Sequence, residues 1–157
     1  MNPPKWIEKP TTKHSPRKYM PNLIVLHHTA GDLAGDLHTL VDAPKKVSAD
    51  YLVAQDGTIF KINPQLTQYY TWHAGKSEWK GKKDLNRFSI GIEMEHKMGE
   101  AWTQAQIDAT AKLCGWLQAR FGIKEIVGHR DISPGRKIDP ENFPWTQFRK
   151  SLNLSGY

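Results

Sequence analysis

Hydrophobic and polar positions divide the chain into strand-like, helix-like and irregular stretches. From Asn22 to His28 an apolar run (Leu23, Ile24, Val25, Leu26) leads into two histidines, the pattern of a buried strand whose end reaches a surface. Ligands often sit at such ends. Ser89 to Glu95 alternates instead, placing Ile90, Ile92 and Met94 on one strand face and Gly91, Glu93 and Glu95 on the other. The stretch from Tyr51 to Ile62 reads as two strands around an Asp56-Gly57 turn. A short helix is expected around Asp36 to Val41. A longer one begins at a Thr103/Gln106 capping box, repeats Ile107, Ala111, Cys114, Leu117 and Phe121 at helical spacing, and stops at Gly122. Ile126-Val127 predicts a short strand ending at Gly128-His129, and a last helix runs from about Pro144 to Leu152. Residues 63 to 88, rich in Lys, Gly, Trp and Tyr without periodicity, read as a long surface loop. The proline-rich residues 1 to 21 read as an extended arm packed on a domain spanning 22 to 157. Strands interspersed with helices predict an α/β fold, a single domain with a central mixed β-sheet flanked by helices.

Composition narrows this picture only slightly. A chain of 157 residues with 38% hydrophobic content suits one buried core. No apolar run is long enough to span a membrane, and the N-terminal residues lack the charged-then-apolar order of a signal peptide. The single cysteine, Cys114, has no internal partner for a disulfide. A formal charge of +6 favours polyanions. The basic residues are dispersed rather than set along one helix with interleaved aromatics, which speaks against a nucleic-acid partner.

Candidate chemistry comes from histidines placed at strand ends. His27 and His28 are adjacent, so their side chains point to opposite faces and at most one joins a given site. Asp139 follows His129 after a loop stiffened by Pro134 and turned by Gly135, which can fold its end back beside His129. Two imidazoles and a carboxylate with one open position would suit catalytic zinc, whereas structural zinc normally takes four protein ligands. By spacing alone, ordinary structural roles for the histidines remain open.

Four segments, in order, carry a resemblance: Ile24-Val25-Leu26-His27-His28-Thr29-Ala30, Trp72-His73-Ala74-Gly75, Ser89-Ile90-Gly91-Ile92-Glu93-Met94-Glu95, and the run from Gly128 to Pro140 containing Pro134-Gly135-Arg136-Lys137-Ile138-Asp139. Over residues 22 to 150 the chain resembles the type-2 N-acetylmuramoyl-L-alanine amidases, a family that includes phage endolysins and peptidoglycan-recognition proteins. The resemblance implies one Zn2+ held by His27, His129 and Asp139, with Glu93 as general base and Lys137 stabilising the oxyanion. It places Trp72 and His73 on the wall of the substrate cleft, and His28 and Thr29 are taken as further substrate contacts. Glu95 is read as structural or salt-bridged. The chain departs from the resemblance at one cleft contact, with Asp50 where many relatives carry histidine, and Ala49 stands where some phage relatives carry a catalytic tyrosine.

The implied reaction is hydrolysis of the amide between N-acetylmuramic acid and L-alanine in peptidoglycan. A monomeric endolysin, held in the host cytoplasm until released to the cell wall, is the first expectation, with anionic cell-envelope polymers as further partners. The alternatives are a cytosolic amidase that recycles anhydro-muropeptides and a module that binds peptidoglycan without cutting it.

Overall fold

The computed structural model describes residues 2–157. Its strands are β1 (Ile7–Glu8), β2 (His14–Pro16), β3 (Leu23–His28), β4 (Tyr51–Val53), β5 (Ile59–Lys61), β6 (Tyr69–Thr71), β7 (Glu78–Trp79), β8 (Lys82–Lys83), β9 (Ser89–Met94) and β10 (Glu125–Gly128). Helices are α1 (Leu33–Leu37), α2 (Gln104–Phe121), α3 (His129–Ile132) and α4 (Trp145–Asn153). Six strands form a mixed sheet in the order β1-β5-β4-β9-β3-β10, with β4, β9, β3 and β10 parallel and β5 antiparallel to β4. This is the α/β fold expected from the alternation of strand and helix patterns.

Side-chain parity on the central strands decides what each face does. Ile24 and Leu26 of β3 and Ile90, Ile92 and Met94 of β9 point to one face. There they pack against Ile107, Ala111, Cys114 and Leu117 of α2, with Phe148 of α4 in the same cluster. Cys114 is fully buried in this core and stands apart from any ligand position. The opposite face carries Leu23, Val25 and His27 of β3, aligned in register with Ser89, Gly91 and Glu93 of β9. A smaller apolar cluster of Leu23, Val25, Ala74, Leu85, Val127 and Ile132 sits there, and beyond it the polar residues gather.

Several elements depart from the sequence expectation in instructive ways. Residues 63 to 88 hold three short strands and a 3-10 turn (Leu85–Phe88) rather than one loop, because pairing of β6 with β2 and of β7 with β8 needs no hydrophobic periodicity. The capping box at α2 is half formed. Thr103 Oγ1 accepts from the Gln106 backbone N–H at 3.1 Å, but the Gln106 side chain donates to the Val53 and Glu95 carbonyls at 3.0 and 2.8 Å instead of returning to the cap. Gly122 ends α2 at φ +68°, a left-handed conformation that favours glycine. The helix expected around Asp36 to Val41 is α1 continued by a π-helical turn, His38–Asp42.

Residues 2 to 21 supply β1, parallel to β5 at the sheet edge, and β2, antiparallel to β6. Trp6 packs edge-on against Tyr51, and Ser48 Oγ donates to the Lys13 carbonyl at 2.7 Å. Among the described residues no helix is long and apolar enough to cross a membrane.

Asp36 in α1 is buried, with one carboxylate oxygen lacking a partner. Burial, aided by the negative charges of Glu95 and Asp32 and opposed by a hydrogen bond from Thr29, pushes its pKa up to about 6. The folded protein therefore holds this proton more tightly than the unfolded chain, and the stability so gained, full below about pH 4, is lost as pH rises through about 6. Asp36→Asn should raise the melting temperature at pH 7.5 and change it little at pH 4. Equal shifts at both values would contradict the assigned ionisation.

Candidate metal centre

His27, His129 and Asp139 meet at one point on the polar face of the sheet. His27 is the fifth residue of β3, in register with Glu93 of β9, and the parity that places Leu23 and Val25 on this face brings it along. His129 was expected to end a strand but instead opens α3, immediately after β10. Asp131 turns the chain here by accepting the Gly128 N–H at 2.7 Å. The following loop returns so that the Arg130 N–H donates to the Asp139 carbonyl at 2.9 Å, setting the Asp139 carboxylate beside the His129 ring. Gly135, at φ +79°, permits the reversal.

The three facing atoms form a compact triangle. His27 Nδ1 lies 3.0 Å from His129 Nδ1 and 3.2 Å from Asp139 Oδ2, and the last two are 3.3 Å apart. Neighbouring donors around a tetrahedral zinc, with bonds of about 2.0–2.1 Å, stand roughly 3.3 Å apart, so the donor set fits the ion in both chemistry and spacing. The outer ring nitrogens settle which atoms carry protons. His129 Nε2 lies 2.9 Å from the Ala74 carbonyl, which only accepts, so that nitrogen carries hydrogen and Nδ1 is bare in the neutral ring. His27 turns its Nε2 to His73 Nδ1 at 2.9 Å. Burial lowers the His27 pKa to about 4, keeping the ring neutral at physiological pH.

Glu93 stands beside this triangle with one carboxylate oxygen buried and unpartnered. Desolvation, then the negative charges of Asp139 and Asp36, push its pKa well above the ordinary value, against the pull of Lys137. A carboxylate raised in this way and free at one oxygen is suited to take a proton. An open cleft of about 540 Å³ joins these groups, with His27, Glu93, His129, Lys137 and Asp139 in its lining and Val47 and Ile138 as apolar walls. Lys137 is half-buried at its rim.

The other residues singled out by sequence fall in different places. His28 lines the cleft but accepts the Glu141 N–H at Nδ1, 3.0 Å away, on the side opposite His27. Thr29 directs its hydroxyl to the turn before α1 and to Asp36, rather than to the metal triangle. Trp72 is drawn away from the cleft lining, because its indole N–H donates to Ser15 Oγ at 2.9 Å. His73 lies behind His27 with both ring nitrogens engaged, so it meets the cleft as a support more than as a polar wall. Glu95 makes no ion pair among the described residues and accepts the Gln55 N–H at 2.9 Å. Asp50 is fully buried beneath the site, bonded to Asn63 Nδ2 and to the Gly91 N–H, each at 2.7 Å, instead of facing the cleft.

Sequence reading missed Arg136, which donates to the Ala74 and Lys76 carbonyls at 2.7 and 2.9 Å and ties the 129–139 loop to the 74–76 segment. It also missed Ser89, which shares a strand face with Glu93; parity along β9 was the available signal.

The chain is similar to several known proteins. A family model described as N-acetylmuramoyl-L-alanine amidase matches residues 16–142. The amidase AmiD of Escherichia coli is 39% identical over 80% of this chain and 51% of its own length. The 1,6-anhydro-N-acetylmuramyl-L-alanine amidase AmpD of Citrobacter freundii is 36% identical over 71% of this chain and 60% of its own. The chain thus spans about half to three fifths of these relatives. A crystal structure of an AmpD derivative superposes with a TM-score of 0.79 at 29% identity, covering 94% of each chain. A complex of E. coli AmiD with the substrate anhydro-N-acetylmuramic acid-L-Ala-D-γ-Glu-L-Lys gives 0.77 at 36% identity, covering 85% of this chain and 58% of that one. An endolysin amidase from Clostridium intestinale shares the fold, with a TM-score of 0.72 at 22% identity and 97% of each chain covered. With the matched region taking in both histidines and the aspartate of the triangle, the chain belongs to the N-acetylmuramoyl-L-alanine amidase family.

Proposed function

We propose that the chain is a zinc-dependent amidase that hydrolyses the bond between N-acetylmuramic acid and L-alanine, acting on soluble anhydro-muropeptide fragments. The observation that carries the reading is the convergence of three potential ligand atoms, from His27, His129 and Asp139, beside the unpartnered oxygen of Glu93. The fragment substrate is favoured by names: relatives at 36–39% identity include several 1,6-anhydro-N-acetylmuramyl-L-alanine amidases, and AmiD at 36% has been seen with an anhydro-muropeptide. The endolysin expected first has weaker support, since the endolysin structures are only 22–23% identical and speak for the fold alone.

His27, His129 and Asp139 would hold the ion. When bound, zinc supplies a polarised carbonyl and lowers the pKa of a water toward about 7. Glu93 takes a proton from the attacking water and returns it to the L-alanine nitrogen, so that water and amide become a carboxylic acid and an amine. The raised pKa of Glu93 suits both halves of that transfer. Lys137, at the cleft rim, offsets the negative charge that develops on the former carbonyl oxygen.

Zinc should titrate at one equivalent per chain, and a chelator should abolish turnover. Glu93→Ala should retain the metal while losing about 10²–10⁴-fold in kcat, and an active Glu93→Ala enzyme would remove the assigned base. Lys137→Met should cost about 10²–10³-fold in kcat with zinc content unchanged. Mass spectrometry of the products separates the substrates. Release of a free L-alanine N-terminus from purified anhydro-muropeptides, faster than from intact sacculi, is expected, and the reverse preference would restore the polymer-cutting reading.

A further inference from the structure

His73 is buried with 5% exposure and has no polar atom left for a substrate. Its Nε2 lies 3.0 Å from Ser89 Oγ, and Ser89 in turn donates its hydroxyl proton to the Leu85 carbonyl at 2.6 Å. With that proton committed to a carbonyl, Ser89 can only accept from His73, so His73 carries its hydrogen on Nε2 and leaves Nδ1 bare. The bare Nδ1, 2.9 Å from His27 Nε2, then requires the hydrogen of His27 to sit on Nε2, which leaves His27 Nδ1 bare and facing the triangle. The Leu85 carbonyl thus dictates, through two side chains, which nitrogen of His27 has a lone pair to give.

The surroundings hold the His73 ring in this position. A Cβ on Gly91 would lie 2.2 Å from His73 Cγ, so only glycine at that strand position admits the ring. Asp50 grips the glycine from both sides, accepting its N–H at 2.7 Å and donating its own N–H to the Gly91 carbonyl at 3.0 Å. Asn86 Oδ1 accepts the backbone N–H groups of His73 and Ala74 at 3.0 and 2.7 Å.

We infer that His73 is a positioning residue, which with Ser89 forms a hydrogen-bond relay from the Leu85 carbonyl that locks His27 in the metal-binding tautomer. This rests on the zinc reading above. Outer partners of a ligating histidine typically contribute about 10–100-fold to metal affinity. His73→Phe removes both bonds, Ser89→Ala removes the last link with little change in volume, and His73→Gln restores an acceptor toward His27 and a donor toward Ser89.

Zinc dissociation constants measured by chelator competition, with circular dichroism to confirm folding, should rise about 10–100-fold for His73→Phe and about threefold or more for Ser89→Ala. His73→Gln should stay within a few-fold of the unaltered protein. Long-range ¹H–¹⁵N spectra of the zinc-free protein should place the ring proton of both His27 and His73 on Nε2. Should His73→Phe fold poorly, Ser89→Ala and the spectra decide alone. Unchanged zinc affinity in folded Ser89→Ala or His73→Phe, or a His73 proton on Nδ1, overturns the relay. An unaltered protein that takes up no zinc overturns the metal reading itself.

Discussion

Three electron-pair donors held within 3.3 Å of one another repel unless a cation lies among them, and much of this fold is organised to keep them there. Two imidazole nitrogens and a carboxylate oxygen come from a strand, the start of a short helix and the end of a loop. Each imidazole is fixed by a partner that accepts at its outer nitrogen: the Ala74 carbonyl for His129, and the Ser89-anchored His73 for His27. Arg136 and Ser133 fasten the loop before Asp139 to the 74–76 segment, so that the carboxylate cannot drift from the histidines.

The sheet separates stability from chemistry. The face covered by α2 buries Ile24, Leu26, Ile90, Ile92 and Met94 in a continuous apolar layer, and it supplies most of the hydrophobic stabilisation. The opposite face has a smaller cluster and can therefore hold polar groups in strained electrostatic company, including a Glu93 oxygen without a partner and an Asp36 carboxyl with a raised pKa. Sites of this kind tolerate unsatisfied groups because the rest of the molecule compensates. Here one strand, β9, serves both purposes, its even positions packing the core and its odd positions carrying Ser89, Gly91 and Glu93.

One buried carboxylate braces the polar face from beneath. Asp50 is fully buried and bonds Asn63 and the Gly91 N–H. A carboxylate there does not reach the cleft. It clamps the glycine against which His73 rests.

Much of this was legible in the residues themselves. The apolar run ending in His27, the alternation from Ser89 to Glu95 and the helical repeat from Ile107 to Phe121 each follow from a local period, so the sequence alone determined which elements form and which faces they bury. The motif order also pointed to His27, His129, Asp139 and Glu93. Local rules were silent on residues 63 to 88, whose short strands pair with distant partners, and on α3, whose start turns His129 inward. The contacts of His73, Ser89, Asp50 and Arg136 were decided only by the tertiary structure. A hydrogen-bond partner 16 or 46 residues away leaves no trace in local periodicity, and which ring nitrogen holds a proton depends on what lies within 3 Å of it in the folded chain.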